Sequence, residues 1–163
     1  MQHIWAPWRS DYVQLPKPAG CIFCEKSVQS DDVTNRILFR GGKNFVIMNI
    51  FPYNPGHIMV APFRHVGRVE ELTDEESDEC FTLVRKSVAV LEKAVQPHGF
   101  NVGMNLGRVA GAGIADHVHV HVVPRWNGDT NFMPLIAGTK VVSESLAAVY
   151  EKLRPHYEAL AVR

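Results

Sequence analysis

The stretch "DHVHVHVVPRW", residues 116–126, carries the strongest structural pattern in the chain. Three of the eight histidines, His117, His119 and His121, fall at every second position with valines between them. Alternate residues of a β-strand point to the same face, so the pattern predicts a row of imidazoles on one face and valines packed against the core. Neighbours in such a row are roughly 7 Å apart, so one small ion would not easily bind all three. We therefore expect the histidines to divide between different tasks.

Five apolar runs predict strands, and the short links between most of them favour antiparallel pairing. These runs are 36–40, 44–50, 57–62, 100–107 and 117–125. A capping box of Thr73 and Glu76 opens a long helix between the third and fourth runs, and Pro97 ends it. A second helix is predicted from about Ser143, with a bend or interruption at Pro155. The predicted class is α+β, with the helices on one face of an antiparallel sheet.

The chain has 163 residues, a length that suits one domain with a substantial core. Lysine plus arginine equals aspartate plus glutamate at 17 each, which gives zero formal net charge. A surface for polymeric nucleic acid needs a strongly basic face, so that class of partner is not expected. The sequence contains no run of about eighteen apolar residues, and its start lacks the apolar segment of a signal peptide. We therefore expect a cytoplasmic protein that does not contact membranes.

Two of the three cysteines, Cys21 and Cys24, have the spacing of half a zinc site. A redox pair is a competing interpretation, but a thioredoxin-like pair opens a helix within a βαβ unit, and the pattern here does not provide one. Plain free thiols are the third alternative. Cys80 falls on the predicted long helix and is expected to be an inert core residue.

A row of histidines behind a glycine-rich loop indicates either metal binding or catalysis. Imidazole can act as a nucleophile and can also move protons near neutral pH. As a nucleophile it must present one nitrogen outward while an acceptor fixes the other. The loop "AGAGIAD", residues 110–116, could supply backbone N–H groups to the charged oxygens of a phosphoryl group, and its glycines would allow close approach.

The run "HVHVHVV", residues 117–123, resembles the H-x-H-x-H-x-x signature of the histidine-triad superfamily of nucleotide hydrolases and transferases. The similarity extends to "NPGHIMVAP" (54–62) and to Asn49, eight residues before His57, and it covers residues 21–125 approximately. The wider pattern of "WAPWR", "CIFC", "NLG" and "HVVPRWNGDTNF" is similar to the bacterial branch that includes diadenosine tetraphosphate phosphorylases.

The resemblance implies a single domain with a five-stranded antiparallel sheet, one long central helix and a C-terminal helix, paired as a homodimer. Its parts would be an N-terminal arm (1–20), a core (21–125) and a C-terminal extension with a helix (126–163). It also implies a structural zinc site, in which His65 and His117 join the cysteine pair. His117 would then be a metal ligand, and the other two triad histidines would take part in the reaction.

The resemblance implies a role for each matching site residue. His119 resembles the nucleophile, which attacks the α-phosphorus and forms a histidine–AMP intermediate. His121 resembles the triad member that hydrogen-bonds near the phosphate and aids proton transfer. His57 resembles the histidine that lies close behind the nucleophile, and Asn49 resembles the asparagine that binds a ribose hydroxyl, although an asparagine at this place could simply cap the turn.

Further residues are assigned to nucleotide binding on the same basis. Asn105 resembles an asparagine on the phosphate or leaving-group side, and Trp126 resembles a substrate-contacting tryptophan. Backbone N–H groups of the loop residues would complete the site, namely Gly111, Ala112 and Gly113. The family's fragile-histidine-triad hydrolases carry a glutamine where this chain has Gly113, so any contact there must come from the backbone.

The leading hypothesis is an enzyme that cleaves a nucleoside 5′-phosphoanhydride through a nucleotidyl-histidine, with diadenosine polyphosphates as the first substrate class. The acceptor could be phosphate, as in a phosphorylase, or water, as in a hydrolase. One rival is a hydrolase of adenosine phosphoramidates and acyl-adenylates. A rival from another class is a non-catalytic nucleotide-binding protein. A zinc-dependent nucleic-acid module is disfavoured by the zero net charge.

Overall fold

The computed structural model describes residues 20–129 and 144–161 of the chain. Its helices are α1 (Ile22–Ser27), α2 (Asp32–Asn35), a 3-10 turn (Val69–Glu71), α3 (Asp74–Val95) and α4 (Leu146–Ala161). Its strands are β1 (Ile37–Arg40), β2 (Asn44–Met48), β3 (Ile58–Pro62), β4 (Gly99–Met104) and β5 (Val120–Arg125). The predicted N-terminal arm, apart from Gly20, and the end of the "HVVPRWNGDTNF" motif lie outside the described residues.

The five strands form one antiparallel sheet in the order β1-β2-β3-β5-β4. This arrangement confirms the predicted five-stranded α+β fold, with α3 between β3 and β4. The last strand begins at Val120 and not at the predicted residue 117. The Val118 amide instead donates to the Val66 carbonyl at 2.8 Å, beyond the end of β3. His117 and His119 therefore lie on the approach to β5, and only His121 lies within the strand.

The two faces of the sheet are covered differently. Val46 and Val122 belong to the face that packs against α3 and α4, where the larger apolar core lies. Phe45 and Ile47 belong to the opposite face, which we call the site face, and Phe23 of α1 packs there. Successive side chains of β2 point to opposite faces, so this strand contributes residues to both cores. Both long helices lie on one face, as predicted, whereas the short helices α1 and α2 were not predicted because so few residues carry no clear period.

Two carboxylates of α3 fix this helix to its surroundings. The Thr73 hydroxyl accepts from the Glu76 amide at 3.2 Å and the Glu76 carboxylate accepts from the Thr73 amide at 2.9 Å, which is the predicted capping box. Glu76 is only 5% exposed and also accepts from Arg64 at 2.8 and 2.6 Å. One turn later, Glu79 accepts from the backbone N–H groups of residues 42–44 at 2.6–2.7 Å, and so holds the β1–β2 hairpin.

The C-terminal helix begins at Leu146 and continues through Pro155 without interruption. A proline removes one backbone donor and crowds the preceding turn, which is why a bend or an interruption was predicted. Buried residues on both sides of it, Tyr150, Leu153 and Tyr157, pack into the core beneath α3 and β1 and offset that cost. Within residues 20–129 and 144–161, none of the helices combines the length and apolar character needed to cross a membrane.

We predict that Glu76→Gln destabilises the fold at neutral pH by on the order of 1 kcal/mol, because the variant loses a charged bond to Arg64. The Arg64 hydrogen bonds lower the pKa of Glu76 from 4.5 to about 2. The carboxylate therefore contributes stability above pH 4.5, and the wild type loses that contribution as the pH falls from about 4.5 towards 2. Urea unfolding across this range should show the two proteins converging at acid pH. Asp78→Asn, an exposed site on the same helix, is the control, and parallel curves for wild type and Glu76→Gln would contradict the assignment.

Candidate active site and metal centre

Four side chains from separate segments converge at one end of the site face. Cys21 and Cys24 lie at the start of α1, His65 follows β3, and His117 precedes β5. One donor atom from each residue lies within 4.8 Å of the donor atoms of the others. The structure thus brings together all four predicted ligands in one possible metal site. It joins segments nearly a hundred residues apart in the chain, which only the fold can bring together.

The spacing of the donor atoms suits a tetrahedral ion. His117 Nδ1 lies 3.2 Å from the Cys21 sulfur and 3.6 Å from the Cys24 sulfur, and His65 Nδ1 lies 3.4 Å from the Cys24 sulfur. Ordinary zinc bond lengths at the tetrahedral angle would separate sulfur and nitrogen donors by roughly 3.5 Å. These four residues therefore fit a closed site with two sulfur and two nitrogen ligands.

The second nitrogen of His117 fixes its tautomer. Nε2 lies 2.9 Å from the Pro62 carbonyl oxygen. A carbonyl only accepts, so Nε2 carries the proton and Nδ1 keeps its lone pair towards the two sulfurs. His117 is fully buried, and this burial lowers its pKa to about 4. The imidazole is therefore neutral at physiological pH, as a metal ligand must be.

His119 is held by one nitrogen as well. Its Nδ1 lies 2.8 Å from the carbonyl oxygen of His117, so Nδ1 carries the proton and Nε2 carries the lone pair. The residue is 7% exposed and lines an open cavity on the site face. Burial lowers the pKa of His119, although the bond to the carbonyl opposes that shift. A neutral imidazole whose other nitrogen is fixed by an acceptor is suited to nucleophilic attack.

A directed chain of hydrogen bonds connects His57 to His121. The Tyr53 amide lies 3.1 Å from His57 Nδ1, and the Asn49 amide nitrogen approaches the same atom at 3.4 Å. Both groups donate, so His57 carries its proton on Nε2, which lies 2.9 Å from His121 Nδ1. His121 Nδ1 therefore accepts, which places the proton of the neutral ring on Nε2. The Asn105 amide lies 3.5 Å from Nε2 and accepts this proton when its oxygen, and not its nitrogen, faces the ring. The structure thus brings His57 against His121.

The cavity over these histidines has a volume of about 740 Å³, part of it open to solvent. Its floor follows one row across the sheet, where His121 of β5 lies beside Met59 of β3, and Met59 lies beside Ile47 of β2. This apolar floor extends over two strand spacings, or roughly 10 Å. Lys26 of α1 lines the cavity as well, and its ammonium donates to the Asn35 carbonyl at 3.3 Å. A histidine end and an apolar end suit a ligand with one anionic part and one planar, weakly polar part.

Most of the predicted nucleotide-binding residues line this cavity. Asn49, Asn105, Gly111 and Gly113 are among the lining residues, together with His119 and His121. The Asn49 side-chain oxygen also accepts from the Phe51 amide at 2.9 Å, which is the turn contact that the sequence offered as an alternative to ribose binding.

Two predicted binding residues do not belong to this cavity. Ala112 is not among the lining residues, although both neighbouring glycines are. Trp126 follows the end of β5, five residues beyond His121, and its amide donates to the Asp129 carboxylate at 3.2 Å. Trp126 is not among the lining residues, and its contact with a nucleotide stays a prediction.

Three residues of the site were not recognised in the sequence. Phe23 packs against two of the triad histidines, Tyr53 donates its amide to His57, and Lys26 lines the cavity. The position of Phe23 between the two cysteines was a usable signal. The other two roles depend on a backbone N–H group and on the path of a short helix, neither of which a sequence pattern displays.

Comparison with known proteins identifies the family of this chain. The model of the HIT domain family matches residues 30–128, more than half of the chain. An AP-4-A phosphorylase of Mycobacterium tuberculosis is 42% identical over 156 residues, which cover 90% of this chain and 79% of the relative. The chain belongs to the HIT domain family. The predicted histidine-triad resemblance is thereby confirmed.

Two further members place the HIT chain among varied relatives. The adenosine 5′-monophosphoramidase hnt1 of Schizosaccharomyces pombe is 34% identical over 108 residues, covering 66% of this chain and 76% of the relative. A crystal structure of a Zn-bound histidine triad family protein from Mycobacterium smegmatis has a TM-score of 0.69 at 21% identity, covering 88% of this chain and 96% of that one. At that identity the match shows the shared HIT fold. The two named relatives are enzymes, the class predicted for this HIT chain.

Proposed function

We propose that this HIT protein cleaves nucleoside 5′-phosphoanhydrides through a covalent nucleotidyl-histidine, with diadenosine polyphosphates as its substrates. The observation that carries the proposal is the geometry of His119, whose Nδ1–H is bound to the His117 carbonyl at 2.8 Å while the side chain lines the cavity. This arrangement leaves the Nε2 lone pair as the nucleophile.

The reaction has two displacements at the α-phosphorus. The His119 Nε2 lone pair forms a P–N bond as the bond to the bridging oxygen breaks, and the remaining polyphosphate leaves with that electron pair. The Nε2–H of His121 is suited to donate a hydrogen bond to the phosphoryl or bridging oxygen. Backbone N–H groups of Gly111 and Gly113 are proposed to bind the other phosphoryl oxygens. Phosphate or water then attacks phosphorus, and the P–N bond breaks to restore the imidazole.

Phosphate is the proposed acceptor, because the Mycobacterium tuberculosis relative is named AP-4-A phosphorylase. The alternative, hydrolysis of adenosine phosphoramidates, is supported by the name of the Schizosaccharomyces pombe relative. Both reactions can use the same nucleophile.

The partner is a small nucleotide in either case, and we propose that the whole chain forms one domain that acts as a homodimer. Exposed apolar side chains of the edge strand β4 and of α3 support pairing, namely Val102 and Phe81.

We predict that diadenosine tetraphosphate yields ADP and ATP, and only when inorganic phosphate is present. Chromatography of the nucleotides formed with and without phosphate measures this outcome. AMP and ATP formed in water alone would indicate a hydrolase, and cleavage confined to phosphoramidates would favour the alternative.

His119→Ala should lose the acid-labile adenylyl adduct detected by mass spectrometry while still binding AMP. His156→Ala on α4 is the matched control and should keep the adduct; an adduct on His119→Ala would contradict the assignment.

We propose that Asn49 binds a ribose hydroxyl, since Asn49 is among the residues that line the cavity together with His119 and His121. Asn49→Ala should weaken AMP binding by about 1–2 kcal/mol, the scale of lost hydrogen bonds. The 2′-deoxy analogue should bind the wild type more weakly and lose little more in the variant. Titration calorimetry with both ligands on both proteins separates this role from the turn contact to Phe51. Equal losses for the two ligands would assign Asn49 to the turn alone.

We propose that the metal is zinc in a structural role, because two thiolates and two imidazoles are the donor set that zinc prefers in closed sites. Metal analysis should find about one zinc per chain, and chelation should lower the melting temperature. Cys21→Ser should lose both the zinc and the response to chelator. Cys80→Ala is the control, since Cys80 is buried elsewhere in the core and should not affect the metal. Metal-free protein with undiminished stability would leave the cysteines as plain thiols.

A further inference from the structure

Phe23 touches both the metal site and the proposed nucleophile. It lies between the two cysteine ligands at the start of α1, and its side chain is fully buried. Its ring centroid is 5.0 Å from that of His117 and 4.9 Å from that of His119, with interplanar angles of 50° and 46°. The Phe23 ring therefore contacts two imidazoles at once. One belongs to His117 of the proposed metal site, and the other belongs to His119, the proposed nucleophile.

The backbone provides a second connection between the same two histidines. The carbonyl that accepts from His119 Nδ1 belongs to His117, whose own ring is tied to the Pro62 carbonyl at 2.9 Å. A change in the placement of His117 therefore moves the acceptor that sets the tautomer of His119. The His119 ring is contacted by Phe23 on one side. The His121 ring meets the same His119 ring edge-on, with the two centroids 4.8 Å apart. Together with the bond at Nδ1, these contacts restrict rotation about both side-chain torsions.

We propose that Phe23 is a positioning residue for His119, and that metal binding by the flanking cysteines holds Phe23 in the position that aims the His119 lone pair into the cavity. This inference rests on the proposed nucleophilic role of His119. A metal bound to Cys21 and Cys24 immobilises the residues on both sides of Phe23, so the ring cannot withdraw from the histidines. The closed metal site thereby supports the geometry of attack without contacting the nucleotide.

If Phe23 only filled the core, truncating it would have the same effect as truncating another buried phenylalanine of that core. Phe45 is the residue that allows this comparison. Phe45 is also fully buried and belongs to the same apolar cluster, and its ring meets Phe23 edge-on at 6.3 Å. Among the described residues, the Phe45 ring meets those of Phe23 and Phe63, and neither His117 nor His119. Truncating either phenylalanine opens a similar void in one core, but only the change at Phe23 removes a contact with the nucleophile.

The test compares Phe23→Leu and Phe23→Met with Phe45→Leu in the metal-loaded protein. All should lose some stability, but only the Phe23 variants should lower kcat for diadenosine tetraphosphate, by about tenfold or more, with little change in KM. Nitrogen NMR at alkaline pH, where imidazoles are neutral, should show a mixed tautomer for His119 in those variants and the Nδ1–H form in wild type and Phe45→Leu. A His119 signal identical in all of these proteins, or an equal loss of kcat in Phe45→Leu, overturns the proposal.

Removal of the metal is the second part of this test. Chelation of the wild type should reproduce the mixed His119 tautomer, and chelation of Phe23→Leu should add little to the change already present, because both act through one contact. Additive changes in the His119 signal, or none on chelation, overturn the coupling. A wild type that cleaves no nucleotide would refute the proposed function, whereas the tautomer comparison would still decide whether Phe23 and the metal position His119.

Discussion

The site depends on one hydrogen bond, from His119 Nδ1 to the carbonyl of His117. A carbonyl oxygen cannot donate, so this bond places the proton of the neutral ring on Nδ1 and leaves the lone pair on Nε2. The bond is available because β5 starts only at Val120, which leaves this carbonyl outside the sheet ladder. The delayed start of the strand therefore decides which nitrogen of His119 is protonated, since a regular strand through residue 117 would use its carbonyls differently.

The remaining histidines follow the same logic, in which a backbone group decides the protonation state of a ring. The Tyr53 amide forces His57 to accept at Nδ1, His57 then donates to His121, and the proton of His121 lies on Nε2. The Pro62 carbonyl likewise turns the lone pair of His117 towards the cysteines. Similar side chains thus direct their protons and lone pairs differently without any difference in composition. Backbone donors and acceptors have fixed chemistry, so they set directions that imidazoles alone would leave open.

Several features of the fold were accessible from sequence because they depend on local patterns. Alternating apolar residues indicated the five strands, and the spacing of Thr73 and Glu76 indicated the start of α3. The cysteine half of the possible metal site was predicted from the spacing of Cys21 and Cys24, whereas His65 and His117 were identified only through the family resemblance. The continuous α4 was missed because packing of its buried residues outweighs the local cost of Pro155.

By itself, the sequence determined which chemical groups the protein possesses and on which strands and helices most of them lie. The alternating histidines, the cysteine pair and the glycine-rich loop follow from neighbouring residues and from the fixed period of a strand. Only the tertiary structure decided which nitrogen of each of these four imidazoles is protonated, that Phe23 packs against both His117 and His119, and that His57 faces His121. These outcomes depend on contacts between residues up to 96 positions apart, as between Cys21 and His117. Such contacts form when the sheet closes and buries its polar groups, because each buried donor or acceptor must then find a partner.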